Sequence, residues 1–177
     1  MIQKKLILIG LLLFNAMACN YLDKFTKFDI NFTQEVTIPA STIFNLPFDI
    51  PTPPTKSNSE NTFKSNNTHK DLIEEIILKK LVLNLLSPSG EDFSILKSIE
   101  IFIKTDGKNE SKIAWIENIP KNTNTLTLDV SKVDLKEYIF ADNFVLTLKT
   151  ITNKANTRDY KIEIKSTFGV NAKILGI

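Results

Sequence analysis

The sequence predicts a mainly β chain: a single antiparallel β-sandwich of about seven strands with short connecting helices. Three observations predict it. Residues 26–38 (TKFDINFTQEVTI) and 160–174 (YKIEIKSTFGVNAKI) place apolar side chains on every second position, the period of a strand with one buried face. Polar turn signals such as SPSGED, DGKNE and NKANTR separate runs of this kind. Fewer than 160 residues remain once residues 1–18 are set aside, which suits one domain, and at 42% hydrophobic content the chain can bury a substantial core.

The first strand carries Phe28, Ile30, Phe32, Val36 and Ile38 on one face. Five of the seven prolines (Pro39, Pro47, Pro51, Pro53 and Pro54) follow it, and residues 55–70 are almost wholly polar. Proline removes ladder donors and Asn/Ser runs offer little to bury, so 39–70 reads as a long loop crossing the molecule. In its first half Phe44, Leu46, Phe48 and Ile50 alternate, which suits a segment lying on the core or a short edge strand.

From Thr68 the spacing changes. Leu72, Ile73 and Ile76 fit a helical turn and Leu81, Leu83 and Leu85 fit a strand, so a short helix is expected to run into a strand ending at Ser87-Pro88; one helix over 70–86 is the competing reading. Asp92 is placed to cap a helical turn in FSILKS, and Ile99, Ile101 and Ile103 mark the next strand. DGKNE closes a hairpin into KIAWIENI, and TNTLTLDV is one more strand. Ser131 is positioned to cap a short helix through VDLKEYI. NFVLTLKTIT, with Phe144, Leu146 and Leu148, then leads into the last strand. The sum is a sandwich immunoglobulin-like in general shape, without a cysteine pair and with Trp115 standing alone.

The N-terminus has a separate logic. Lys4 and Lys5 precede an apolar run over 6–14 and the small residues Ala16 and Ala18, the layout of a secretory signal and too short for a membrane span. Ala16-Met17-Ala18-Cys19 resembles the lipobox of bacterial lipoproteins of the Gram-negative envelope type, with Ala16 where that family more often has leucine. The resemblance implies removal of 1–18 and attachment of a diacylglycerol and an N-acyl chain to Cys19, the chain's one cysteine. Residues 19–25 would then form a tether and 26–177 the sandwich. Acylation at about 0.8 kcal/mol per buried methylene makes two or three chains a durable membrane hold. By the same resemblance Asn20, in place of an aspartate directly after the cysteine, permits transport to the outer membrane. The lone Asp23 before Lys24 is not the acidic cluster associated with surface export, so the periplasmic face is expected. The alternating pattern itself loosely resembles small sandwich lipoproteins of Gram-negative envelopes and desiccation-associated sandwich domains.

Charge excludes one class of partner. The segment 1–18 holds two of the 22 basic residues and no acid, leaving the rest of the chain with as many cations as the 20 acids. A near-neutral domain with Arg158 as its one arginine lacks the basic footprint of a nucleic-acid binder. With Cys19 acylated, no internal disulfide is available, so stability must come from the core.

Little in the sequence suggests catalysis. His69 is the one histidine and lies in a polar stretch, so neither a Ser/His nor a Cys/His pair is indicated, and zinc lacks a ligand set. Glu74-Glu75 reads as a solvated helix face with Lys79, and Glu91-Asp92 as a cap. Asp106, Asn109 and Glu110 lack the spacing of a calcium loop, and the five glycines form no phosphate-cradling motif. The sequence therefore points to no metal, to no cofactor beyond the lipid on Cys19, and to a non-catalytic binding or structural module with an envelope protein partner. A carrier or sensor of an apolar ligand is the alternative, with Ile43, Phe44, Leu46, Phe48 and Ile50 as the pocket mouth. A glycan-active enzyme using two carboxylates is the remote one.

Overall fold

The computed structural model describes residues 27–45 and 47–173. Cys19, the tether and the signal segment lie outside the described residues, as do Leu46 and Ile174. The strands are β1 (Lys27–Ile38), β2 (Pro47–Pro51), β3 (Thr55–Lys56), β4 (Ile73–Ser87), β5 (Leu96–Lys104), β6 (Ser111–Ile116), β7 (Thr125–Thr127), β8 (Asp129–Val130), β9 (Asn143–Thr152) and β10 (Tyr160–Ala172). Two short helices, α1 (Ser59–Ser65) and α2 (Lys136–Phe140), and two 3-10 turns, Lys70–Leu72 and Phe93–Ile95, complete the described residues.

The strands form two packed antiparallel sheets, ordered β1-β10-β4-β7 and β2-β9-β5-β6-β8, with β3 continuing the β2 edge alongside β9. The expected sandwich is present. Its connectivity adds what the pattern could not carry. β1 pairs with β10, β2 with β9, β4 with β7, and β5 with β6 at the hairpin. The chain is thus one long antiparallel ribbon, closed at β5–β6 and wound so that successive pairs alternate between sheets. That is the strand order of a jelly roll.

Even-numbered positions of β1 and β10 face inward, as their alternation requires, and bring Ile30, Val36, Ile38, Ile162, Ile164, Phe168 and Val170 against Ile99, Ile101, Ile103, Leu146 and Leu148 of the other sheet. Phe144 stands edge-on to Phe32 (4.9 Å) and Phe168 (6.3 Å), joining the two layers.

Four local expectations are corrected. The stretch 39–70 is not irregular throughout: it holds β2, β3 and α1, the last anchored by Phe63, which is fully buried and edge-on to Phe28 and Phe140. No helix occupies 73–86; only one 3-10 turn precedes β4, which begins at Ile73. β4 slips register against β10 in three places, skipping Glu74, Lys79 and Leu86. Each bulge inserts one residue, so the inward positions Ile73, Ile76, Leu78, Leu81 and Leu83 run at spacings of three and two, and the three-residue steps mimic a helix. TNTLTLDV is split: β7 joins β4 while β8 joins β6 in the opposite sheet, with Leu126 and Leu128 both buried at the crossing. Ser131 does not cap α2. Asp134 instead accepts hydrogen bonds from the N–H groups of Lys136 and Ile76, each at 3.0 Å, tying the start of α2 to β4.

Candidate functional site

Proline cannot continue a ladder, and Pro39 ends β1 by turning the chain across the end of the sandwich. The turn that follows is tightly specified. The Asn156 side-chain amide donates to Pro39 O (2.8 Å), Ala40 N donates to Asp159 Oδ1 (2.7 Å), and Ser41 pairs with Asn156 through both backbone groups. The Ser41 hydroxyl accepts from Ile43 N (3.1 Å) and donates to Ile43 O (3.0 Å), a local serine turn. Asn45, at φ 63°, then sends its N–H to Thr152 O. Asparagine tolerates this left-handed conformation better than most side chains.

Inside this frame Ile43 and Phe44 stand in solvent, 57% and 48% exposed. Phe48 and Ile50 lie half-buried on the inward face of β2, opposite Thr150 and Leu148, and Ile50 packs against the core. The candidate apolar set thus divides: an exposed pair on the loop, and an inward pair that closes the edge of the sandwich.

At the other end, beside α1, lies a polar cleft of about 430 Å³ whose lining includes Lys56, Asn58, Glu60, Lys70 and Asp142. Lys70 is already engaged by Glu60 (3.1 Å) and Phe140 O (3.0 Å). The adjoining cleft of about 370 Å³ is lined by Glu60, Phe63, Lys64, His69, Lys70 and Asp71, none of which bears a hydroxyl or thiol. His69 there faces Asp71 at 3.7 Å, with both side chains more than half exposed.

Three of the carboxylates weighed for chemistry, Glu91, Asp92 and Glu110, have structural partners. Glu91 receives Arg158 at 2.6 Å and the Tyr160 hydroxyl at 3.0 Å. Burial, then the hydrogen bond to Glu91, pushes the Tyr160 phenol up to about 12. Asp92 caps its 3-10 turn through Ser94 N, and the Ser94 hydrogen bonds hold its carboxyl below the usual range. In DGKNE, Glu110 pairs with Lys149 (2.6 Å), Lys108 with Glu137, and Gly107 takes the positive φ of the turn. Among the described residues no three His, Cys, Asp or Glu side chains come together as a metal site.

Two features escaped the sequence reading. Arg158, Glu91 and Tyr160 meet only in three dimensions, and the one signal was the isolation of the single arginine. Gln34 interrupts the apolar face of β1. It is buried, and its amide reaches across to Thr55 Oγ1 (2.6 Å) of the other sheet.

No protein-family model matches the chain, and no curated protein is similar to it. Among solved structures it is similar to the empty-head turnip yellow mosaic virus structure (10% identity, 84% of each chain, TM-score 0.30). It is similar to the same degree to desmodium yellow mottle tymovirus (10% identity, 85% of each chain, TM-score 0.31). At that level the likeness carries no argument about function.

Proposed function

We propose that this chain is a lipid-anchored lipoprotein of the cell envelope, held at the outer membrane on its periplasmic face through acylated Cys19, and that it acts as a non-catalytic binding module for an envelope protein. The observation that carries the binding role is the Ile43–Phe44 pair, two exposed apolar side chains on a loop whose backbone is tied by the Ser41, Asn156 and Asp159 contacts. A preorganised apolar anchor loses little ordering entropy when a partner covers it.

The lipobox-like sequence supports the anchor. Residues 20–26 reach at most about 25 Å before β1 begins. β1 then runs roughly 40 Å away from that point before Pro39 turns it. A tether this short limits the domain to partners near the membrane, and Ile43 and Phe44 lie past the end of β1 opposite Lys27.

A photo-crosslinking residue at Phe44 tests this in intact envelopes. One discrete crosslinked species is expected from Phe44 and none from Lys80 on the outer sheet face; equal, diffuse crosslinking from both positions would refute the binding role. The lesser reading, carriage of an apolar ligand by Ile43, Phe44, Leu46, Phe48 and Ile50, would show as a bound hydrophobe in native mass spectra. The packing of Ile50 against the core supports a plug more than a pocket mouth.

A further inference from the structure

A sheet edge offers a row of backbone donors and acceptors to any strand of matching register, and sandwiches guard such edges with short strands, prolines or bulges. Three of the four edges here are guarded. β7 has three residues and β8 two, while β2 and β3 are broken by Pro51, Pro53 and Pro54. β1 is different: twelve residues, no proline, and no register slip against β10. Among the described residues its other side pairs with no strand. Phe28 and Phe32, inward-facing residues, remain only half-buried along it.

Read antiparallel to itself, β1 selects one alignment. Faces match only when even positions oppose even ones, since a one-residue slip would turn the apolar face outward. A two-fold at Phe32 sets Asp29 against Glu35 at both ends, crowding carboxylates that Lys79 and Lys161 already hold. A two-fold at Asn31 overlaps only residues 27–35. A two-fold at Thr33 overlaps residues 28–38 and avoids both faults. It places Thr33 on Thr33, Asn31 on Glu35 and Asp29 on Thr37 outside, with Phe28 on Ile38, Ile30 on Val36 and Phe32 on Gln34 inside. Thr–Thr and aromatic–β-branched pairs are favourable neighbours across antiparallel strands.

We propose that β1 is a homodimer seam, at which a second copy of this chain pairs edge to edge about a two-fold at Thr33 and makes the two four-stranded sheets continuous. The proposal does not rest on the lipid anchor. A chain with an unmodified Cys19 has the same edge.

The test uses the full chain in its native membrane. Under mild oxidation Thr33→Cys should give a disulfide-linked species of twice the monomer mass, above a wild-type baseline that accounts for Cys19. Thr127→Cys, on the opposite edge of the same sheet, should stay at that baseline. Coexpressed Asp29→Cys and Thr37→Cys should link to one another. Wild-type protein in detergent should sediment as two copies. A monomeric wild type, linking at Thr33 no greater than at Thr127, or linking at Asn31→Cys in place of Thr33→Cys would each overturn the proposal.

Discussion

Phe63 shows how much one side chain decides. It sits in a stretch whose other members are nearly all polar, yet it is fully buried between Phe28 and Phe140 and fastens α1 to the end of the sandwich. Phe63→Ala should cost about 3–5 kcal/mol, read from urea unfolding, because a large aromatic leaves a cavity that short α1 cannot collapse into. Tyr160 is a second such position. Its folded pKa lies above the unfolded value near 10, so its contribution is complete below about pH 10 and is lost as pH rises toward 12. Tyr160→Phe should lower Tm at neutral pH, since the hydrogen bond to Glu91 goes, and should flatten the further fall in Tm between pH 9 and 11. An unchanged alkaline slope would show that the phenol is not the group responsible. Ile43 and Phe44 were legible as apolar residues in a loop, but their exposure depends on bonds from Asn156 and Asp159, more than a hundred residues away, which no local pattern encodes.

Among the elements, legibility followed regularity. β1 and β10 keep an unbroken period of two through most of their length, and both are where the alternation puts them. β4 is as long and as apolar, but the bulges at Glu74, Lys79 and Leu86 break its period, so its first half reads as a helix in sequence. The short β7 and β8 fail for another reason: one apparent strand crosses between sheets, and only the tertiary partner of each half separates them. The α2 cap turns on the same distinction. Asp134 is a better cap than Ser131 because its carboxylate can serve Lys136 N and, at the same time, Ile76 N of β4. Burial raises the pKa of this carboxyl, but the backbone hydrogen bonds from Ile76 and Lys136, together with the hydrogen bond and charge of the Lys136 side chain, outweigh it and leave the group below its ordinary value. Its contribution is therefore present above about pH 4 and lost as pH falls through the folded pKa. Asp134→Ala should cost about 1–3 kcal/mol at pH 7, because two N–H donors lose their acceptor, and should lose less than the parent chain does on going from pH 6 to pH 3. Denaturant titrations at the two pH values check both statements.

For the whole molecule, the two-layer architecture followed from alternation, turn spacing and chain length, whereas the strand order did not. Winding β1 onto β10 and β2 onto β9 joins residues from opposite ends of the chain, and periodicity says which face is buried without saying which strand lies alongside. The jelly-roll order leaves the start of β1 and the Ile43–Phe44 loop at opposite ends of the sandwich. β1 begins at Lys27, and the exposed Ile43–Phe44 pair lies past its far end. Which surface the pair can meet depends on whether the chain is anchored at Cys19. Metabolic labelling with an alkynyl fatty acid tests it most directly. The wild-type chain should take up label and sediment with membranes, while Cys19→Ser should take up none and appear in the soluble fraction. Equal labelling of the two chains, or membrane retention of unlabelled Cys19→Ser, would contradict the lipid-anchored module proposed for this protein.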